Sequence, residues 1–252
     1  FQFYSFIYIL PMTEPRFCIY TAIIGDYDRL INPTVLHPQF DYVLFTDRYR
    51  WKCNPFSLQG QWPSSTPWQI CRIQKEGRGN TLAARYIKAH PHVLFPEATS
   101  NYGATVFIDA NIGITSGYIY ERVIELFRSD ILVSSMNHPF RDCIYDEGIA
   151  VIEGHRELPF KVNRLLDHLR AEGYPSHNGL VETNLLYRRC GIETESFNRL
   201  WWHYISHYSH RDQLSFNYVL WKYPIKYQHF LPEGYSTRNT PHLSYNPHQK
   251  RR

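Results

Sequence analysis

The feature that most constrains this chain is Thr105-Val106-Phe107-Ile108-Asp109-Ala110-Asn111-Ile112-Gly113-Ile114. An apolar, β-branched run reads as a buried strand. It breaks at an aspartate, passes a small residue, presents an amide and turns apolar again. On an extended backbone, positions i and i+2 point the same way. Asp109 and Asn111 therefore offer two oxygens on one side of a strand end, and Ala110 leaves room for a ligand. Hard cations take oxygen ligands, and Mg²⁺-like ions combine a few protein oxygens with substrate phosphates. The pair is a candidate for holding a divalent cation against a diphosphate. A plain strand–turn junction is the simpler reading of the same residues.

The rest of the chain alternates strand-like and helix-like segments. Strands are expected at Phe17–Ile24, Tyr42–Phe45, Val106–Ile108, Ile131–Ser134, Leu180–Tyr187 and Ile225–Phe230. Helices are expected at Thr81–Ala89, Tyr118–Phe127, Leu158–Leu169 and Leu214–Trp221. Phe197, Leu200, Trp201, Tyr204, Ile205 and Tyr208 recur at the spacing of an amphipathic helix. Residues 51–70 hold Pro, Ser, Gly and Trp and read as an ordered loop. From Leu231 onward, Pro, Gly, Asn and His dominate, and little order is expected. This alternation implies an α/β fold with a mostly parallel central sheet flanked by helices. Ligands of such sheets sit beyond the carboxyl ends of the strands. Three expected strands end there in polar residues: Gly25-Asp26, Thr46-Asp47 and Asp109-Ala110-Asn111.

With 252 residues the chain suits one large domain. We divide it into an extension (residues 1–16), a main domain (17–230) and a tail (231–252). The 27 basic and 23 acidic side chains leave a net charge of only +4, which argues against nucleic acid as partner. The run Lys250-Arg251-Arg252 reads as a solvated tail. Five widely spaced cysteines with no CxxC pair argue against a disulfide framework or zinc site, and favour a reducing compartment. Phe1–Leu10 is apolar but too short to span a bilayer. Membrane association is assigned only to that N-terminal segment or to one outside this chain.

Several other residues carry candidate chemistry. Asp26 can accept from a ribose or base, and Tyr27 can stack on a ring. Arg85 and Lys88 share a helix face and can neutralise phosphates, although a solvated basic face is the default. His138, Arg141 and Glu147 follow a strand end and suit an acceptor hydroxyl or a phosphate. Asp212 and Gln213 open a helix. Their simpler reading is a capping box with Ser209, and their functional reading places them over a reacting sugar. His229 becomes a metal ligand only if Asp109 and Asn111 form a site.

In order along the chain stand Ala84-Arg85-Tyr86-Ile87-Lys88, Val106-Phe107-Ile108-Asp109-Ala110-Asn111, Asn178-Gly179-Leu180-Val181-Glu182-Thr183-Asn184 and Arg211-Asp212-Gln213-Leu214-Ser215-Phe216. The opening Tyr20-Thr21-Ala22-Ile23-Ile24-Gly25-Asp26-Tyr27-Asp28 and the group His138-Pro139, Arg141, Cys143 and Glu147 join them. Over about residues 17–230 this series resembles a GT-A glycosyltransferase-like family, once listed as a domain of unknown function, with plant mucilage and turgor-regulation members and bacterial ones. More distantly it is similar to glycogenin-type retaining transferases. The resemblance implies a GT-A (Rossmann-like) fold and a nucleotide diphosphate-sugar donor. It implies Mn²⁺ or Mg²⁺ on Asp109 and Asn111 with His229 as third ligand. It puts Asp212 and Gln213 at the sugar, Thr21, Asp26 and Tyr27 at the nucleoside, and Arg85 at the diphosphate. An inverting reaction needs a general base, for which Glu182 or Asp212 can serve. Retention and inversion both stay open.

One departure stands out. The second carboxylate of the usual metal motif is Asn111 here. Losing a full charge a few ångströms from the ion is worth on the order of a few kcal/mol at an effective dielectric of about 20. The expected activity is sugar transfer to a glycan or small hydroxyl acceptor. The rivals are a metal-dependent hydrolase, such as a ceramidase-like amidase, and a non-catalytic carbohydrate-binding module. No HExxH or nucleophile elbow supports the hydrolase. A cytoplasmic, bacterial-type location is favoured, with the Golgi lumen expected for a eukaryotic source.

Overall fold

A computed structural model describes residues 14–47, 66–96 and 101–247. The expectations for Phe1–Leu10, Cys53, residues 51–65 and Lys250–Arg252 lie outside these residues. Seven strands form the central sheet: β1 (Arg16–Ile23), β2 (Phe40–Thr46), β3 (Trp68–Arg72), β4 (Tyr102–Ile108), β6 (Val133–Asn137), β7 (Val181–Arg189) and β8 (Tyr227–His229), in the spatial order β3-β2-β1-β4-β7-β6-β8. The first four run parallel, β8 is parallel to β6, and β7 alone is antiparallel to both its neighbours. The sheet is mostly parallel and the fold is α/β, as the alternation implied.

β1 shows why the sheet forms. Phe17, Cys18, Ile19 and Tyr20 are all fully buried, as expected for a parallel strand covered on both faces. The pleat sends Cys18 and Tyr20 into one core and Phe17 and Ile19 into the other. The helices α1 (Asn80–Ala89), α2 (Pro91–Leu94), α3 (Tyr118–Arg128), α4 (Ile144–Glu153), α5 (Pro159–Ala171), α6 (Ile192–His207) and α7 (Gln213–Lys222) complete the domain. In α3 the buried Ile119, Tyr120, Val123 and Leu126 make one apolar stripe. Each such side chain contributes about 1.5–3 kcal/mol on leaving water. Among the described residues no helix is long and apolar enough to cross a membrane.

Three expectations need correction. Residues 68–70, the end of the expected loop, belong instead to β3, a short edge strand whose signal is masked by the Pro- and Ser-rich residues before it. Ile144–Glu153, left unassigned, is α4, covered by Val162 and Leu166 of α5, whose methyls sit where a Cβ on Gly148 would fall. Described residues beyond Leu231 are ordered, where little order is expected from composition. β9 (Leu243–Tyr245) pairs antiparallel with β5 (Ile112–Ile114), and Ser236, Thr237 and Thr240 are buried. The pairing is long-range and invisible to local composition.

The chain runs outward from β1 through β2 and β3, then returns to place β4 on the other side of β1. The carboxyl ends of β1 and β4 therefore flank a topological switch point, where such sheets open a crevice.

Candidate functional site

A hollow of about 540 Å³ opens at that switch point. Its walls come from the turn after β1, one face of α1, the turn after β4, the start of β7 and the start of α7. Gly25 makes the first turn feasible. Its φ is +62°, and a Cβ there would lie 2.0 Å from the Asn80 side-chain nitrogen. The Gly25 amide donates to Asp47 Oδ1 at 2.9 Å, which ties the β1 turn to the end of β2. Tyr27 lines the hollow and is 61% exposed.

Thr81, Ala84, Arg85 and Lys88 all line the hollow, so this helix face is not the solvated one that charge alone suggested. Lys88 is almost wholly buried. Its Nζ lies 2.6 Å from Asp212 Oδ2, donates to Thr183 Oγ1 at 3.2 Å and stands 4.0 Å from Asp109 Oδ1. Arg85 Nε is 3.3 Å from Asp212 Oδ1 and donates to the His210 carbonyl at 3.2 Å. Thr183 Oγ1 donates to Asp212 Oδ2 at 2.9 Å. Burial alone would raise the Asp212 carboxyl. Arg85 and Lys88 outweigh it and hold the group well below the usual carboxylate range. Burial lowers the Lys88 ammonium, opposed by Asp212 and Asp109.

The capping box is therefore not made. Asp212 precedes α7 but forms no side-chain cap, and Ser209 Oγ accepts from the Arg211 amide instead. A buried cation, Lys88, and a half-buried one, Arg85, attract the carboxylate more strongly than a backbone amide. The Trp201 indole donates to the Asp212 carbonyl at 3.0 Å and fixes the backbone beneath. Gln213 lines the same hollow.

Asp109, Ala110 and Asn111 also line the hollow. Asp109 is partly exposed and its amide donates to the Asn184 carbonyl at 2.9 Å. Asn111 is buried and its Nδ2 donates to the Asn246 carbonyl at 2.8 Å. Asn184 Nδ2 donates to Thr237 Oγ1 at 2.8 Å. The Oδ1 atoms of Asn111 and Asn184 are both buried, and neither accepts a hydrogen bond from a described residue. An unsatisfied buried acceptor is costly. Both residues line the hollow together with Asp109, and amide and carboxylate oxygens of this kind could hold a hard cation.

Thr183 and Asn184 were quoted only as part of a motif. Their position comes from an irregularity in β7. Ser135 and Met136, adjacent on β6, oppose Leu186 and Glu182 on β7. The intervening residues bulge out, and Ser135 Oγ lies 2.6 Å from the Glu182 carbonyl. Bulges re-aim side chains in this way. Glu182, also on the wall, accepts from Thr237 Oγ1 at 3.0 Å and from Arg238 Nε at 3.1 Å. Thr237 and Arg238 lie in the segment that sequence composition had marked as tail.

Other expected residues are not brought to this hollow. Thr21 is fully buried within β1, and the hollow is lined by its neighbour Ala22. Asp26, at a φ of +59°, is not part of the wall, whereas Asp28 is. His229 does not join Asp109 and Asn111. It lies on β8, accepting or donating at Nδ1 with the Tyr227 hydroxyl at 2.9 Å, in a second hollow. His138, Arg141 and Glu147 do cluster with each other. Arg141 Nη1 is 2.8 Å and His138 Nε2 3.7 Å from Glu147 Oε2. His138 and Arg141 line the second hollow. Burial lowers the His138 imidazole, opposed by Glu147. Cys143, Asp146 and His177 bring ligand atoms within 4.8 Å of one another, but none of them lines the first hollow.

Fold and site together define a Rossmann-like α/β domain with a charged, oxygen-rich pocket at its switch point. The chain belongs to the TOD1/MUCI70 family, whose glycosyltransferase-like domain matches residues 9–233. No curated protein matches it in sequence. Among solved structures it is similar to the apo structure of the WbbM bifunctional glycosyltransferase, at 10% identity and a TM-score of 0.47. That alignment covers 88% of this chain and 40% of WbbM, so the chain spans less than half of that protein's length.

Proposed function

We propose that the chain transfers a sugar from a nucleotide diphosphate donor to a hydroxyl acceptor, with a divalent cation at Asp109. The observation that carries this reading is the pairing, in one hollow, of a cationic wall with an oxygen wall. Arg85 and Lys88 line it together with Asp109, Asn111 and Asn184, and Lys88 Nζ stands 4.0 Å from Asp109 Oδ1. A diphosphate needs the first wall, and a cation bound to that diphosphate needs the second.

In the transfer, the bond from the anomeric carbon to the diphosphate oxygen breaks and a bond to the acceptor oxygen forms. Negative charge grows on the leaving diphosphate. Arg85 and Lys88 stand ready to offset it, Lys88 from a buried position where a charge acts more strongly than in water. Asp212 holds both cations in place and stays ionised while doing so. Gln213 and Tyr27 suit the sugar and the nucleobase respectively. Glu182, set between Thr237 and Arg238, is the carboxylate suited to take the acceptor's proton. Mn²⁺ or Mg²⁺ would be held by Asp109 with the Asn111 and Asn184 oxygens, and would supply Lewis-acid stabilisation of the diphosphate.

The test is a thermal-shift series with uridine and guanosine diphosphates, with and without Mn²⁺, on the chain and on Asp109→Ala. A shift that needs both nucleotide and ion, and that disappears in the variant, is expected. No shift with any nucleoside diphosphate, or one unaltered by the substitution, would overturn the reading.

A further inference from the structure

The second hollow, of about 640 Å³, lies on the same rim of the sheet. It opens where β6 ends, and it shares the start of β7 with the first hollow. Leu180 lines the second hollow, and Glu182, two residues on, lines the first. The same holds across the C-terminal segment, with Asn239 on one side and Arg238 on the other. The start of β7, which carries the Glu182 carboxylate, and the C-terminal segment thus form a wall shared by the two spaces.

The lining has a definite chemistry. Trp221 is 40% exposed and Tyr235 45% exposed, although both are large aromatics. Trp221 is held by Tyr174, with ring centroids 5.6 Å apart, and by Tyr218 at 5.9 Å. A ring fixed by packing and open on one face is a platform for another ring. Around these faces stand Asn178, Asn239, His229 and Glu233, which give and take hydrogen bonds. Aliphatic side chains are few, which disfavours an acyl chain. Stacking faces bordered by amides and a carboxylate fit the apolar face and hydroxyl edge of a sugar ring. The volume lies within the range of ligand sites.

We propose that this second hollow is the acceptor subsite and that it takes an oligosaccharide, whose terminal hydroxyl reaches Glu182 across the shared wall. The proposal rests on the first hollow being the donor site. His229, unable to join Asp109, acts here as a glycan contact.

The experiment uses the full chain on an array of oligosaccharides with their constituent monosaccharides, and on phosphatidylcholine vesicles carrying ceramide. Each measurement is paired with the thermal shift from uridine diphosphate and Mn²⁺. Oligosaccharides should bind well above their monosaccharides. Trp221→Ala and Tyr235→Ala should each weaken that binding about tenfold or more, and leave the nucleotide shift unchanged. Tyr235→Phe, which keeps the ring, should retain binding. If Trp221→Ala fails to fold, Tyr235→Ala against Tyr235→Phe decides alone. A nucleotide shift without oligosaccharide binding overturns the subsite while sparing the donor reading. So does glycan binding untouched by both substitutions, or vesicle binding in its place. Glycan binding without a nucleotide shift overturns the donor reading, and with it the acceptor role.

Discussion

Lys88 Nζ and Asp212 Oδ2 lie 2.6 Å apart, and both side chains are almost entirely shielded from water. One comes from the last turn of α1 and the other from the residue before α7. Their contact joins two distant segments at the floor of the hollow. Removing one partner of a buried pair costs about 3–5 kcal/mol, because the other charge is stranded. Lys88→Met should therefore lower the melting temperature sharply, as should Asp212→Leu. The double variant should recover much of the loss while transfer stays abolished. A double variant with restored transfer would show that the pair serves stability alone.

Asn111→Asp tests the missing carboxylate. The substitution adds a charge facing the proposed cation. It also replaces the amide that donates to the Asn246 carbonyl, leaving oxygen against oxygen at about 1–3 kcal/mol. The variant should melt lower than the parent without ions and recover more than the parent when Mn²⁺ and nucleotide are added together. Calorimetric scans with and without the pair of ligands read this directly.

Thr237 bridges two functional side chains, donating to Glu182 and accepting from Asn184. Thr237→Val keeps the shape and removes both contacts. The expected loss is about 1–3 kcal/mol of stability and a marked fall in kcat, because Glu182 keeps only Arg238 as a partner. Steady-state transfer kinetics with chemical denaturation separate the two effects.

His90 supplies a pH dependence. Burial lowers its imidazole to about 4, with a hydrogen bond at the Tyr86 carbonyl opposing. The ring stacks on Tyr86 at 4.0 Å. Its folded pKa lies below its unfolded value of about 6.5, so the unfolded chain binds more protons between pH 6.5 and 4. Stability should thus be full above pH 6.5 and decline as pH falls toward 4. His90→Phe should flatten the melting-temperature profile over that interval, by an amount on the order of 1–3 kcal/mol at its lower end.

Parts of this design are legible in the sequence, and others are not, for physical reasons. β1, β4 and the Asp109–Asn111 turn announce themselves because a strand buried on both faces must be apolar until it ends. Arg85 and Lys88 are correctly placed on one helix face by spacing, but spacing is silent on which side faces inward. Asp212 misleads because Ser-x-x-Asp is a sound local cap, and the choice was made by cations more than a hundred residues away in sequence. Thr183 and Asn184 depend on a bulge set by Ser135, and Thr237 on a pairing between β5 and β9. Neither has a local signature. His229 fails for the same reason, since its strand joins the sheet on the far side of β7.

The reversal of β7 carries one more consequence. In an all-parallel sheet, the segments that follow each strand shape what the rim recognises. Here Glu182, Thr183 and Asn184 stand at the beginning of a strand, so the segment that governs them comes before it, from Tyr174 to Leu180. An engineer wishing to retune selectivity should graft diversity there, upstream, and leave untouched the downstream turn at Cys190-Gly191, which emerges on the opposite side of the molecule.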